Sequence, residues 1–103
     1  MRGGIYAQRV TERGIAVGQQ FAALARQHGY DPAQAAYLWA KDQPGVTAPI
    51  IGPRTLAQLK QALPVANMVL SDELRAACDA LVSPGSVVAS FFNSAAWMRW
   101  KIV

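Results

Sequence analysis

Cysteine and histidine are almost missing from this sequence: Cys78 and His28 are its only residues of these types. One cysteine cannot form an internal disulfide, and this pair alone does not supply the usual ligand set of a zinc site. The sequence also lacks an apolar run of the ~18 residues that a membrane span requires, and its opening Met1-Arg-Gly-Gly is unlike a signal peptide. We therefore expect a cytoplasmic protein with no bound metal and no membrane association.

Charge is scarce as well. Charged residues make up 16% of the 103 residues and apolar residues 52%, a composition that excludes a disordered chain. The net charge of +4 comes from ten Lys and Arg against six acidic residues, and the basic residues are scattered along the chain. Scattered basic residues are typical of a solvated surface rather than of a nucleic-acid interface. The length allows one domain at most, with a modest core.

The most informative stretch is a predicted strand, tight loop and helix. An apolar run from Val46 to Ile51 is followed by a turn at Gly52-Pro53 and then by Thr55 and Gln58. Thr and Gln at this spacing form a capping box, which specifies where a helix begins. A strand that leads directly into a helix is typical of a parallel sheet. Pro49 weakens the strand prediction, because proline cannot donate a hydrogen bond to a neighbouring strand.

Helical spacing of apolar residues, together with helix-boundary residues, predicts three further helices. Gly29 is a suitable C-terminal stop for the first, Asp31-Pro32 supplies an N-cap and first turn for the second, and Ser71 starts the last. The predicted helices cover residues 12–28, 32–42, 55–63 and 71–81, and Pro64 is expected to end the third.

The start of the third helix is also a candidate anion site. Its free N–H groups and positive dipole end, with Arg54 beside them, would suit a phosphate. In the alternative interpretation, Gly52 only permits the turn and Arg54 is a solvated loop residue. Spacing alone favours this second interpretation.

A resemblance to a known family favours the anion-site interpretation. The sequence Gln43-Pro-Gly-Val-Thr-Ala-Pro-Ile-Ile-Gly-Pro-Arg-Thr-Leu-Ala-Gln-Leu59, with Pro32-Ala-Gln-Ala-Ala-Tyr-Leu-Trp39 before it and Leu70-Ser-Asp-Glu-Leu74 after it, resembles the C-terminal part of the aldo/keto reductase family. The resemblance implies an α/β fold. The chain is too short for eight strands, so we expect a C-terminal fragment of a (β/α)8 TIM barrel, mostly helical with one short parallel-type strand. Residues 1–11 would be a loop lead-in, 12–81 the barrel part and 82–103 a C-terminal tail.

The resemblance also implies an activity and a cofactor. Family members reduce aldehydes or ketones with NADPH, and their catalytic Asp, Tyr, Lys and His come from earlier strands, so we expect no catalytic residue here. The family's loop after the last strand and the following helix hold the adenosine and phosphate of NADP(H). The matching residues in this sequence are Gly52, Arg54, Gln58 and Gln61. The family commonly has glutamate at the position of Gln61 and asparagine at that of Ala62, so the adenine contacts depart from its pattern.

The aromatic tail allows two interpretations. In the family such a tail can lie over the barrel mouth and shape the substrate pocket, whereas aromatic clusters are often only packed terminal extensions. The residues concerned are Phe91, Phe92, Trp97, Met98 and Trp100.

Two alternatives to a reductase fragment remain open. Ala25-Arg-Gln-His-Gly29 followed by Asp31-Pro32 superficially resembles a helix-turn-helix, although Gln34 and Lys41 are nearly the only side chains of the second helix suited to DNA. The chain could also be a structural remnant without function, or could pair with a separately encoded N-terminal barrel part. Alone, it is expected to self-associate through unpaired apolar surface.

Overall fold

A computed structural model describes residues 10–88 of the chain. The predicted lead-in up to residue 9 and the tail from residue 89 lie outside the described residues. Between these limits the chain forms four α-helices and one short 3₁₀ helix. They are α1 (Glu12–Gln27), α2 (Pro32–Lys41), α3 (Leu56–Ala62), the 3₁₀ helix (Leu63–Asn67) and α4 (Asp72–Leu81).

Each α-helix begins at a side-chain cap that the local sequence supplies. The Oγ1 atom of Thr11 accepts from the N–H of Gly14 at 3.0 Å, and Oδ2 of Asp31 accepts from two N–H groups of α2. The Ser71 hydroxyl caps α4 in the same way. After α1, Gly29 has a φ of +81°, a left-handed conformation that glycine adopts without steric cost.

The core is small and lies where α1, α2 and α4 meet. Leu38 and Leu74 are the largest fully buried side chains. Small residues complete this contact and let the helices approach closely. The buried cluster consists of Ala25, Ala35, Leu38, Val65, Leu70, Leu74 and Cys78. A core of this size gives a modest stability.

The segment that leads into α4 is clamped by two polar side chains. Asp42, at the end of α2, accepts from the N–H of Leu70 at 2.7 Å and from Nζ of Lys41 at 2.7 Å. The Tyr30 hydroxyl donates to the carbonyl of Val69 and accepts from the N–H of Ser71, both at 3.3 Å. Residues 69–71 lie outside any helix or strand, so the clamp supplies the hydrogen-bond partners that their backbone groups would otherwise lack.

The predicted strand is not formed: residues 10–88 contain no strand, and residues 46–54 are irregular. The strand prediction was wrong because a strand exists only when a neighbouring strand pairs with it, and the described chain supplies none. Pro49 and Pro53 lack the N–H that such pairing would use. The side chain of Ile50 is fully exposed, at 101% of its reference area.

The third helix also differs from its prediction. Pro64 does not stop the chain from turning, because it occupies the first turn of the 3₁₀ helix, where its missing N–H is not needed. This extension buries Val65 against the core.

We predict that Asp42→Ala destabilises the fold by about 2 kcal/mol, because a charged acceptor shared by two donors is lost. The hydrogen bond from Lys41, followed by that from the Leu70 N–H, lowers the pKa of Asp42 in the folded chain. Its stabilising contribution is therefore present above the carboxyl's ordinary pKa of 3.8 and is lost as the pH falls through the lowered folded value.

Urea denaturation followed by circular dichroism between pH 2 and 7 measures this contribution. Asp42→Asn should flatten the acid limb of the stability profile, while the exposed Asp79→Asn control should keep it. An unchanged acid limb in Asp42→Asn would contradict the assignment.

Candidate functional site

The candidate site begins with the irregular segment before α3. Gly52 and Arg54 are both exposed there. Gly52 does not have a positive φ, and a Cβ added to it would meet no atom within 4 Å. Neither the turn nor the packing of the described residues therefore requires glycine at this position.

The capping box predicted at the start of α3 is present. The N–H of Gln58 donates to Oγ1 of Thr55 at 3.1 Å, and Oε1 of Gln58 accepts from the N–H of Thr55 at 3.2 Å. The same Oε1 accepts from the N–H of Arg54 at 2.7 Å. The backbone of Arg54 is thus fixed to the helix start while its guanidinium remains exposed.

Gln61 is used differently from Gln58, although both side chains lie on α3. Nε2 of Gln61 donates to Oδ2 of Asp31 at 2.7 Å, and its backbone carbonyl accepts from Nε2 of Gln34 at 2.8 Å. These bonds join α3 to the beginning of α2. The structure therefore groups Gly52, Arg54 and Gln58 at one helix start and directs the Gln61 side chain to the cap of α2.

Sequence reasoning did not anticipate these long-range polar contacts. A carboxylate that caps a helix has a spare lone pair, so Asp31 could have been suspected of accepting a further donor. Nothing in the local sequence identified Gln61 as that donor. The tyrosine and aspartate of the clamp were missed for the same reason, because their partners are 28 to 41 residues away.

Lys41 and Tyr37 line a cavity of about 300 Å³ behind residues 47–51. The Lys41 ammonium is paired with Asp42, whose side chain is partly buried. His28 lies at the C-cap of α1, exposed. Within residues 10–88 no group of three metal-ligating side chains converges.

The polar side chains that a DNA-binding interpretation of α2 would use are engaged within the chain. Gln34 donates to the carbonyl of Gln61, and Lys41 donates to Asp42. These contacts remove the two side chains of α2 that are best suited to reading bases or phosphates. The geometry therefore does not favour the helix-turn-helix alternative.

The described helices are also too short or too polar to cross a bilayer: none within residues 10–88 reaches the length and hydropathy of a membrane span.

Comparison with known proteins identifies the family. The family model of the aldo/keto reductases, described as "Aldo/keto reductase family", matches residues 5–83, which is most of the chain. The chain therefore belongs to the aldo/keto reductase family. The fold of this family is the (β/α)8 barrel, and this chain corresponds to a fragment of it.

Curated relatives support the same assignment. The chain is 32% identical to the protein named Protein tas of Escherichia coli (strain K12) over 76 residues, which is 74% of this chain and 21% of that protein. It is 37% identical to a Bacillus subtilis (strain 168) protein named "Uncharacterized oxidoreductase YrpG" over 68 residues, 65% of this chain and 21% of that protein. The chain thus spans about a fifth of the length of these relatives. No solved structure matches it.

We predict that Thr55→Ala destabilises the chain by about 1 kcal/mol, because the capping oxygen for the Gln58 N–H is lost. Thr47→Ala, at an exposed threonine outside any helix, is the matched control and should change stability by less than about 0.5 kcal/mol. Urea denaturation monitored by circular dichroism measures both values. Equal effects of the two substitutions would contradict a structural role for the capping box.

Proposed function

We propose that this chain is the C-terminal part of an NADPH-dependent oxidoreductase that acts on aldehydes or ketones, and that it binds the adenosine-phosphate end of the cofactor. The proposed contacts are Gly52 and Arg54 in the loop and Gln58 and Gln61 on α3. One observation carries the proposal: the Arg54 backbone is bonded to the cap of α3 while its guanidinium is exposed.

The chemistry of Arg54 suits the 2′-phosphate that distinguishes NADP from NAD. A guanidinium donates two parallel hydrogen bonds to phosphate oxygens, and the start of a helix adds a favourable dipole. The backbone of Arg54, next to the N-cap Thr55, is already held by its hydrogen bond to Gln58. Less conformational entropy is therefore lost when Arg54 binds a phosphate. Gly52 leaves open space beside it, and its exposed backbone allows a ligand to approach closely.

The two glutamines would contribute unequally. Nε2 of Gln58 is a donor that the capping box does not use, so it can bind the adenosine without loss of the cap. Gln61 would first have to exchange its 2.7 Å bond to Asp31 for a bond to the cofactor. We therefore expect Gln58 to contribute more affinity than Gln61.

The proposed activity requires residues from the rest of the barrel. The resemblance places the family's catalytic Asp, Tyr, Lys and His on earlier strands, outside the matched region. The relative from Bacillus subtilis is named an oxidoreductase, and the chain covers only 21% of its length. We propose that the remaining part of the barrel completes the site, whether it belongs to a longer chain or to a separate protein.

The exposed segment before α3 is the surface that we propose for that completing part. Its apolar side chains include Val46, which is 41% exposed, and Ile50, which is fully exposed. An added strand would pair the backbone groups of this segment and cover these side chains. Without that strand, the same surface would favour self-association of the chain.

We predict that the chain binds NADPH about tenfold more tightly than NADH, because only NADPH offers a 2′-phosphate to Arg54. Isothermal titration calorimetry measures both affinities, with circular dichroism to verify folding. Arg54→Ala should abolish the preference, and Arg54→Lys should retain part of it. The control Arg13→Ala removes the same charge from the exposed start of α1 and should leave the preference unchanged. Equal losses in Arg54→Ala and Arg13→Ala would contradict the site.

We also predict that the purified chain alone oxidises no NADPH in the presence of aldehydes, because it lacks the catalytic groups. Mixing it with the unmatched portion of the Bacillus subtilis relative that is named an oxidoreductase should produce aldehyde-dependent loss of absorbance at the NADPH band. Neither component should do so separately. Turnover by the isolated chain would overturn this proposal.

A further inference from the structure

A second and larger cavity lies on a different part of the molecule. It is a groove of about 790 Å³ between α1, α2, α4 and the turn that follows α4. None of its lining residues belongs to the segment from 46 to 61, so the groove is separate from the proposed cofactor site. We refer to it as the α1–α4 groove.

The walls of the α1–α4 groove are largely apolar and incompletely covered. Trp39 lines it and is 43% exposed, while Val17 and Phe21 line it from α1 and are only partly buried. Gly18 forms part of the same wall, and a Cβ at that position would meet no atom within 4 Å. Removing apolar surface from water contributes roughly 25 cal/mol of free energy per Å², so an apolar occupant would be favoured in the groove.

The chain leaves the described region at the rim of this groove. Residues 82–86 line the groove, and the described part ends at residue 88. The sequence then continues for residues 89–103, which could reach about 50 Å if extended at ~3.3 Å per residue. This segment is rich in large apolar residues: Phe91, Phe92, Trp97, Met98 and Trp100.

We propose that the α1–α4 groove is the docking site of the chain's own residues 89–103, whose aromatic side chains cover Trp39 and Phe21. The groove volume lies within the range of about 300–1,000 Å³ that proteins use to hold drug-sized groups, which allows a few aromatic rings. Offset or edge-to-face contacts with the ring of Trp39 add to the burial.

Tethering favours this occupant over a second copy of the chain. A segment attached at the rim has an effective concentration in the millimolar range, which a separate molecule reaches only in concentrated solution.

The only cysteine in the sequence provides a direct test, because Cys78 lines the groove. Single substitutions Ser94→Cys, Ala95→Cys and Ala96→Cys place a second thiol between the aromatic residues without removing any of them. Under mild oxidation of the full chain, at least one variant should form an intramolecular disulfide with Cys78. Mass spectrometry and a non-reducing gel would show an oxidised monomer. Val69→Cys, an exposed position outside the groove, is the control and should form none.

Filling the groove provides an independent measurement. Gly18→Leu places a side chain in the open space, whereas Gly18→Ala removes the glycine and leaves most of that space free. Both substitutions raise helix propensity within α1, so both variants should fold. Limited trypsin digestion followed by mass spectrometry should show cleavage after Arg99 at least about fivefold faster in Gly18→Leu than in Gly18→Ala. The two rates are compared under conditions in which both variants have the same population of unfolded chain, because that population also affects cleavage.

The outcomes separate the possible occupants. An oxidised monomer together with faster cleavage in Gly18→Leu supports the proposal. Disulfide-linked dimers without oxidised monomers would overturn it in favour of a second copy. Equal cleavage rates in the two Gly18 variants and no disulfide in any tail variant would overturn it outright. None of these readouts depends on cofactor binding, so failure here is distinguishable from failure of the proposed function.

Discussion

The described fold depends on the clamp that Asp42 and Tyr30 form around residues 69–71. This segment runs between the 3₁₀ helix and α4 without regular structure, so its backbone groups would be unpaired without side-chain partners. The two clamp residues lie at opposite ends of α2, one just before it and one at its C-cap. They therefore hold the segment before α4 against α2, and this position allows Leu74 to be buried with Leu38 in the core. The small hydrophobic core is thus arranged by polar contacts at its edge.

Two apolar surfaces of the described chain are exposed for the same physical reason. At each of them, few atoms of the apolar side chains contact other described residues. At the segment before α3, backbone groups are exposed together with Ile50, which suits a strand from the rest of the barrel. At the α1–α4 groove the exposed groups are side chains on helices whose own backbones are already paired, so side chains from a nearby segment can cover them. Exposed backbone groups therefore favour pairing with a strand, whereas exposed apolar side chains favour contact with other side chains.

The helices and their starting points were predictable because their causes lie within four residues. Thr11, Asp31, Thr55 and Ser71 cap the N–H groups next to them in the chain, and these bonds form in almost any tertiary context. The absence of a strand around Ile50 was not predictable on this basis, since the hydrogen bonds of a strand would have to come from another segment. The continuation through Pro64 was missed because burial of Val65, a tertiary contact, favours the extra turn.

For the candidate site, the sequence by itself determined the family, the position of Arg54 beside a helix start and the capping role of Gln58. These features depend on residue order and on spacing along one helix. Only the tertiary structure decided that the side chain of Gln61 binds Asp31, because that contact joins residues 30 positions apart. The reason is that local hydrogen bonds are set by backbone geometry, whereas a long polar side chain takes whichever partner the packing of the helices brings within its reach.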